Sequence, residues 1–327
     1  LTPQPLGDEF LVNTSTGGDQ GRGSDWWGDT APKITALADG GFVVTWFSFG
    51  QDGGPWGAFG QRYDAAGNPV GGEFLASTAI RVPGGHVDVA ALADGGFVVV
   101  WSTYSLDGQD SESDAYGQRF DANGAPVGEP FLINETRPSR QEPASVVGLS
   151  DGGFVVTWMS LDSSIVGDSR VANFASYGRV YDEGGHPIGS EFRLDPAWSP
   201  AQSVQQYSPE VIALADGGFV AVWSAKDESG YPSDWDVFAR RYAADGSAVG
   251  ELFRVNTTAR DDRTSEQQLL HDAAPLADGG FVVVWTSYSG ISLDGIFGRR
   301  DAADGSPVGG EFAIQLQSGA NPVAPYV

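Results

Sequence analysis

Residues 37–46 read LADGGFVVTW, and nearly the same ten letters return at 92–101 (LADGGFVVVW), 149–158 (LSDGGFVVTW), 214–223 (LADGGFVAVW) and 276–285 (LADGGFVVVW). The stretch is a turn feeding a strand. The glycines of ADGG suit a tight hairpin, because they tolerate backbone angles that other residues resist. In the strand, Phe42, Val44 and Trp46 share one side and Val43 and Thr45 the other. Both sides are largely apolar, as expected of a strand covered on both faces.

Working outward, each copy carries two further landmarks, a GQR-like strand and an EF-containing strand. From the Leu of LADGG to the Trp is 9 residues in every copy. From the second basic position (Arg62, Arg119, Val180, Arg241, Arg300) to the Phe (Phe74, Phe131, Phe192, Phe253, Phe312) is 12 in every copy. The two remaining connections vary, from 15 to 22 and from 18 to 27 residues. Fixed and free connections alternate. Each copy therefore reads as four strands, A to D, with A–B and C–D turns on one standardised side and B–C and D–A loops on a variable side. Five such units predict an all-β chain, a five-bladed β-propeller of four-stranded antiparallel blades over residues 1–327, with repeat cores starting near 31, 86, 143, 208 and 270. A linear array of small β units is the alternative. A sixth D-like strand, EFLVNT at 9–14, either closes the ring against the last blade or is the tail of a preceding repeat.

Composition agrees. The 327 residues include 46 Gly and 19 Pro, with no sustained helical period. Net charge is −25, with Lys33 and Lys226 the only lysines. Such a surface repels nucleic acid and anionic membranes. No cysteine is present, so disulfides and thiol chemistry are excluded. No apolar run reaches membrane-spanning length. The opening LTPQPLGDEF lacks a basic region followed by an apolar stretch, and so reads as no signal peptide.

The pattern LADGGFVVxW…GQRFDAxGxxVGxEFxVNT resembles a tandem repeat of large secreted bacterial proteins, which often also carry RTX calcium-binding nonapeptides, cadherin-like modules or adhesin domains. The resemblance covers nearly the whole chain and implies an exported, surface-associated setting within a larger multidomain protein. It implies no established activity. Copy five departs from it, with Asp301 where other copies have Tyr or Phe. The GGxGxDxUx nonapeptide is absent.

Residues that recur in every copy are expected to hold the fold. Arg62, Arg119, Arg241 and Arg300 are expected to pair with carboxylates or backbone carbonyls between blades. Trp46, Trp101, Trp158, Trp223 and Trp285 read as core wedges. Asn13, Asn134 and Asn256 lie in N-x-[ST] sequons but recur at the end of strand D, so they read as turn formers.

Function is expected on the variable side. Its loops carry Trp26, Trp27, Trp56, Tyr104, Trp198, Tyr207 and Trp235 beside carboxylates and amides, a mixture suited to stacking on sugar rings and binding hydroxyls. The acidic run LDGQDSESD at 106–114 is a weak calcium candidate that lacks the DxDxDG form. Four residues before each LADGG leucine stand Lys33, Asp88, Ser145, Glu210 and Asp272. If strand A is innermost, these line one funnel, with His86 and His271 nearby. Asp88, Glu210 and Asp272 are candidates for general acid/base work or for holding a hard cation such as Ca2+. A water-filled channel lined by solvated side chains is the plainer alternative. HExxH, GxSxG and P-loop motifs are absent. Three readings follow: a carbohydrate-binding or adhesion module using the variable side, a glycoside hydrolase or polysaccharide lyase using the carboxylate funnel, and a structural spacer of a larger adhesin.

Overall fold

The computed structural model describes residues 9–15, 31–51, 56–77, 86–104, 113–135, 140–166, 169–195, 206–226, 235–257, 266–289 and 292–316. They form twenty strands in five antiparallel four-stranded blades. Blade 1 is β1 (Lys33–Ala36), β2 (Phe42–Phe49), β3 (Trp56–Tyr63) and β4 (Pro69–Leu75), and blade 2 is β5 (Val87–Ala91), β6 (Phe97–Tyr104), β7 (Ser113–Phe120) and β8 (Pro126–Leu132). Blade 3 is β9 (Gln141–Gly148), β10 (Phe154–Val166), β11 (Ser169–Tyr181) and β12 (Pro187–Arg193). Blade 4 is β13 (Gln206–Ala213), β14 (Phe219–Lys226), β15 (Trp235–Tyr242) and β16 (Ala248–Arg254), and blade 5 is β17 (Glu266–Pro275), β18 (Phe281–Ser289), β19 (Ser292–Asp301) and β20 (Phe312–Leu316). One parallel pairing, Trp235 with Gln267, joins blades 4 and 5 into a continuous sheet. The protein is a five-bladed β-propeller, and among the described residues no helix is long and apolar enough to cross a membrane.

The repeated decapeptide works as its letters predict. Leu37 N–H donates to Gly41 O at 2.8 Å and Gly40 N–H to Leu37 O at 3.0 Å, closing the turn. Gly40 lies at φ 84°, a left-handed angle. A Cβ on Gly41 would sit 2.3 Å from Tyr63 O, so the second glycine is required by close backbone approach. Asp39 accepts from Gly41 N–H at 2.9 Å and also from Arg62. The same Asp–Arg pair recurs as Asp94–Arg119, Asp216–Arg241 and Asp278–Arg300. The recurrent arginines therefore pair with carboxylates within one blade, between its A–B turn and its third strand, and not between blades as expected. Both partners come from segments of fixed length, so four of the blades carry their own copy; in blade 3, Val180 stands in the arginine's place.

Neighbouring blades meet through a recurrent joint. The outer-strand Phe of one blade lies against the aromatic residue ending the third strand of the next. Ring centroids are 4.8 Å apart for Phe74 and Phe120, 5.3 Å for Phe131 and Tyr181, and 5.2 Å for Phe192 and Tyr242. Tyr181 donates to Ile133 O at 3.4 Å and Tyr242 to Leu194 O at 2.8 Å. A glutamate of the later blade takes a backbone N–H of the earlier one, as in Glu135 N–H to Glu191 at 2.7 Å and Thr257 N–H to Glu311. Trp101, Trp158, Trp223 and Trp285 are fully enclosed in the cores of the successive joints. Joint 4–5 solves the problem differently. Asp301 replaces the aromatic, is wholly buried, and receives two hydrogen bonds from Arg299 at 3.1 and 2.7 Å. Arg299 also donates to Arg254 O at 3.1 Å and lies 5.7 Å from the Phe253 ring. Burial pushes the Asp301 carboxyl up, and Arg299 pulls it back.

Asn134 and Asn256 are buried and brace the chain rather than form turns. Asn134 accepts from Ala115 N–H at 2.8 Å and donates to Asp114 at 2.8 Å. Asn256 accepts from Val237 N–H at 2.9 Å and donates to Asp236 at 2.7 Å. Asn13 donates to Ser15 O at 2.7 Å. Residues 9–15 do not form the strand expected at 9–14; they lie on blade 1 without joining a ladder.

These contacts order the stability costs measurable by denaturant unfolding. Trp223→Ala empties a fully buried site and is expected to cost about 3–5 kcal/mol. Arg62→Met breaks an ion pair whose Asp39 side chain is 54% exposed, and is expected to cost less than about 1 kcal/mol. Asp301→Asn leaves Arg299 buried without its counter-charge and is expected to cost about 3–5 kcal/mol. A small loss for Asp301→Asn would mean that the buried pair does not hold joint 4–5.

Candidate functional site

The first strands of the blades pack against one another around the axis in the order β1, β5, β9, β13, β17. Three hydrogen bonds tie neighbours together. Ala91 N–H donates to Thr35 Oγ1 at 3.3 Å, Val146 N–H to Asp88 Oδ2 at 2.8 Å, and Thr157 Oγ1 to Pro209 O at 2.9 Å. The five residues singled out by spacing occupy one rung. Lys33 pairs with Thr45, Asp88 with Val100, Ser145 with Thr157, Glu210 with Val222 and Asp272 with Val284, each partner directly preceding a core tryptophan.

In three blades the register shifts just before that rung, next to Ser145, Glu210 and Asp272. A bulge turns the side chain that follows it and increases local twist. The repeat alone does not reveal these bulges, because they use non-repeated letters such as Ser208 and Pro209 before Glu210.

The side chains of Glu210 and Asp272 are hydrogen-bonded to each other, with Lys33 and Asp88 close enough to act on Glu210 electrostatically. Blades 1, 2, 4 and 5 thus bring four charged groups to one place. Burial pushes the Glu210 carboxyl well above the usual carboxylate range. The hydrogen bond to Asp272 and repulsion from its charge add to this, Lys33 opposes it, and Asp88 adds a smaller upward push. The Glu210 carboxyl is thus biased toward its neutral form. Glu210 itself is half-buried. Asp272 also accepts from Ala273 N–H at 2.8 Å. Asp88 accepts from Val89 N–H at 2.9 Å as well as from Val146, so both its oxygens are held by backbone. A carboxyl biased toward its neutral form beside two other carboxyls is an arrangement suited to proton transfer.

The other expected site residues distribute differently. His271 points into the blade 4–5 joint, 3.0 Å from Ser224 Oγ and 3.3 Å from Val222 O, so it braces the fold instead of lining the funnel. Trp235 is only 8% exposed, and is core rather than a surface for stacking sugar. Trp56 is half-buried against Phe49, at 5.2 Å between rings, and against the blade 1–2 core. Both tryptophans follow variable loops in sequence, but each sits on a strand that carries it inward. His86 is half-buried two residues before Asp88, and its carbonyl accepts from Ser102 N–H at 3.3 Å. Trp26, Trp27 and Trp198 lie outside the described residues, as do the side chains of Tyr104 and Tyr207 and most of the acidic run at 106–114. Among the described residues no group of three or more His, Asp or Glu side chains is placed to hold a metal ion.

Sequence reasoning missed one feature. The hairpin of β10 and β11 stays paired out to Val166 and Ser169, whereas β6 and β14 each end three residues after their tryptophan. Five further residues of β10 extend blade 3 by about 17 Å on the variable side. The longest third-copy spacing, 22 residues, was its signal.

No protein-family model and no curated protein sequence matches this chain. Solved structures resemble it in fold. The GH93 α-L-arabinofuranosidase of Fusarium graminearum, solved with arabinobiose, aligns with a TM-score of 0.54 at 11% identity, over 88% of this chain and 81% of that one. A protein of unknown function from Dyadobacter fermentans aligns with a TM-score of 0.52 at 12% identity, over 88% and 83%. The α-L-arabinanase of Penicillium chrysogenum, solved with arabinobiose, aligns with a TM-score of 0.51 at 11% identity, over 85% and 91%.

Protonation of Glu210 has a consequence for stability. Because its folded value is raised, the stabilisation linked to its proton is complete below the unfolded value of about 4.3 and is lost as pH climbs through the folded value. Glu210→Gln keeps a neutral hydrogen-bonding side chain and removes the titration. The variant is expected to match the wild type near pH 4 and to melt progressively higher than it toward pH 9. Each pK unit of elevation is worth about 1.4 kcal/mol, and each kcal/mol about 2–4 °C. A melting difference that stays flat across this range would show that Glu210 is not held neutral.

Proposed function

We propose that this propeller processes glycans, as a glycoside hydrolase whose acid is Glu210. The observation that carries the reading is Glu210 hydrogen-bonded to Asp272 on the axial rung, with Asp88 and Lys33 near enough to act on its charge. The fold likeness to the two arabinan-related structures supports it at the level of architecture only.

The chemistry follows from each group's surroundings. Glycoside cleavage needs a proton on the departing oxygen and negative charge beside the sugar carbon as positive charge develops. Glu210 supplies the proton. Asp272, fixed by Ala273 N–H, positions Glu210 and keeps it protonated. Asp88, clamped by two amides, supplies a fixed carboxylate to stabilise the cationic sugar or orient water. Lys33 is the counter-charge that keeps the group from accumulating excess negative charge. The funnel, with two carboxylates and one ammonium, favours neutral over acidic sugars. An exported bacterial setting, in which such polysaccharides are met, belongs to the same proposal.

A binding-only adhesion module, using loops of the variable side, is the rival reading, and a spacer without a ligand is the third. Incubation with a panel of neutral polysaccharides, followed by assay of reducing ends, separates them. The wild type is expected to release sugar, and Glu210→Gln to lose about 10²–10⁴-fold. On aryl glycosides with an acidic phenol leaving group the loss is expected to shrink, because that group departs without a proton. Binding without release would favour the adhesion module. Release unchanged in Glu210→Gln would remove the funnel from the reaction.

A further inference from the structure

Four of the joints bury a matched aliphatic pair, one residue directly after the outer strand of the earlier blade and one from the inner strand of the later blade. The pairs are Ala76 and Val89, Ile133 and Val146, Leu194 and Val211, and Val255 and Ala273. The corresponding positions at the seam between blades 5 and 1 are Ile314 on β20 and Ile34 on β1. They are 53% and 66% exposed. Phe312, whose counterparts press on the next blade, is also exposed.

Blade 1 is nevertheless not bare on that side. Val12 packs against Val44, Trp46, Phe59 and Tyr63. Tyr63 donates to Val12 O at 2.5 Å, as Tyr242 does to Leu194 O. The Phe10 ring lies 5.4 Å from the Tyr63 ring, as Phe192 lies against Tyr242. Thr14 N–H donates to Glu73, as Glu135 N–H does to Glu191. All three contacts of an ordinary joint are present, made by residues that belong to no sheet. The sequences explain this: EFLVNT at 9–14 and EFAIQL at 311–316 are two versions of the same outer-strand motif.

We propose that residues 9–14 and β20 are competing occupants of a single docking place on blade 1, and that the propeller seals by exchange. Residues 9–14 leave, β20 takes their place, and Ile314 meets Ile34. The exchange breaks no ladder, because residues 9–14 are in none and β20 keeps its pairing with β19. It buries two isoleucines that are otherwise more than half exposed, which favours the sealed form by the apolar area removed from water. Lys33 precedes Ile34 on β1, so sealing also resets the approach of Lys33 to Glu210. The inference stands independently of the catalytic reading.

The absence of native cysteine makes a direct test available. In the full chain carrying Ile34→Cys and Ile314→Cys, mild oxidation is expected to produce an intramolecular disulfide, since sealing brings the two positions into contact. Adding Val12→Asp, which weakens only the competing segment, is expected to speed cross-linking about tenfold, the effect of ~1.4 kcal/mol. Phe10→Ala provides a milder second variant should Val12→Asp perturb folding, with circular dichroism as the check. No intramolecular disulfide while both thiols still react with a maleimide would overturn the proposal. So would a rate indifferent to the residue 12 and residue 10 changes. A cross-linked dimer in place of the monomer would also overturn it, and would assign the two faces to a second copy of the chain.

Discussion

A blade of this protein cannot bury both of its faces alone, and the joint between consecutive blades is the contact on which everything else rests. A four-stranded sheet with Val and Phe on both sides is stable only when covered on both sides. The joint supplies that cover from a small set of parts, present together between blades 2 and 3: an aromatic of one blade on an aromatic of the next, a hydroxyl on a carbonyl, and a carboxylate on an amide. Because the parts sit on segments of fixed length, each blade presents them at the same angle. The ring and its axial channel are consequences of repeating that angle.

The funnel is a product of this geometry. The joint presses the first strands of the blades together, and residues that stand on equivalent rungs then face a common axis. Identical residues there would make a symmetric ring of like charges, which is costly in a confined channel. The chain varies them instead, as Lys33, Asp88, Ser145, Glu210 and Asp272. Where two carboxyls from adjacent blades meet, burial and the contact with Asp272 push the Glu210 carboxyl up. The pressure to keep Glu210 neutral thus comes from the fold, and the resulting acid is what makes the channel chemically interesting.

Joint 4–5 shows how much latitude the constraint leaves. There the aromatic and its hydroxyl give way to a buried Arg299–Asp301 pair that reaches a carbonyl of the preceding blade one residue earlier. A tyrosine and a salt-bridged arginine are chemically unlike, but both fill the space and both donate to a backbone carbonyl just past the outer-strand Phe. The seam between blades 5 and 1 is the other exception, where two copies of the outer-strand motif exist for one place.

The sequence by itself determined the blade. Constant spacings, paired glycines and a strand apolar on both sides leave few structures other than a four-stranded unit repeated five times. Equal spacing from the LADGG leucine likewise put five polar residues on one rung. These properties are local, since they depend on turn geometry and strand periodicity within some 60 residues. Tertiary structure alone decided which repeated residues face a neighbour and which stay within the blade. It turned the arginines to their own A–B turns, the sequon asparagines inward to Asp114 and Asp236, His271 into a joint and Trp235 into the core. It also decided that the Glu210 carboxyl is pushed up, because that depends on burial and on charges contributed by three other blades.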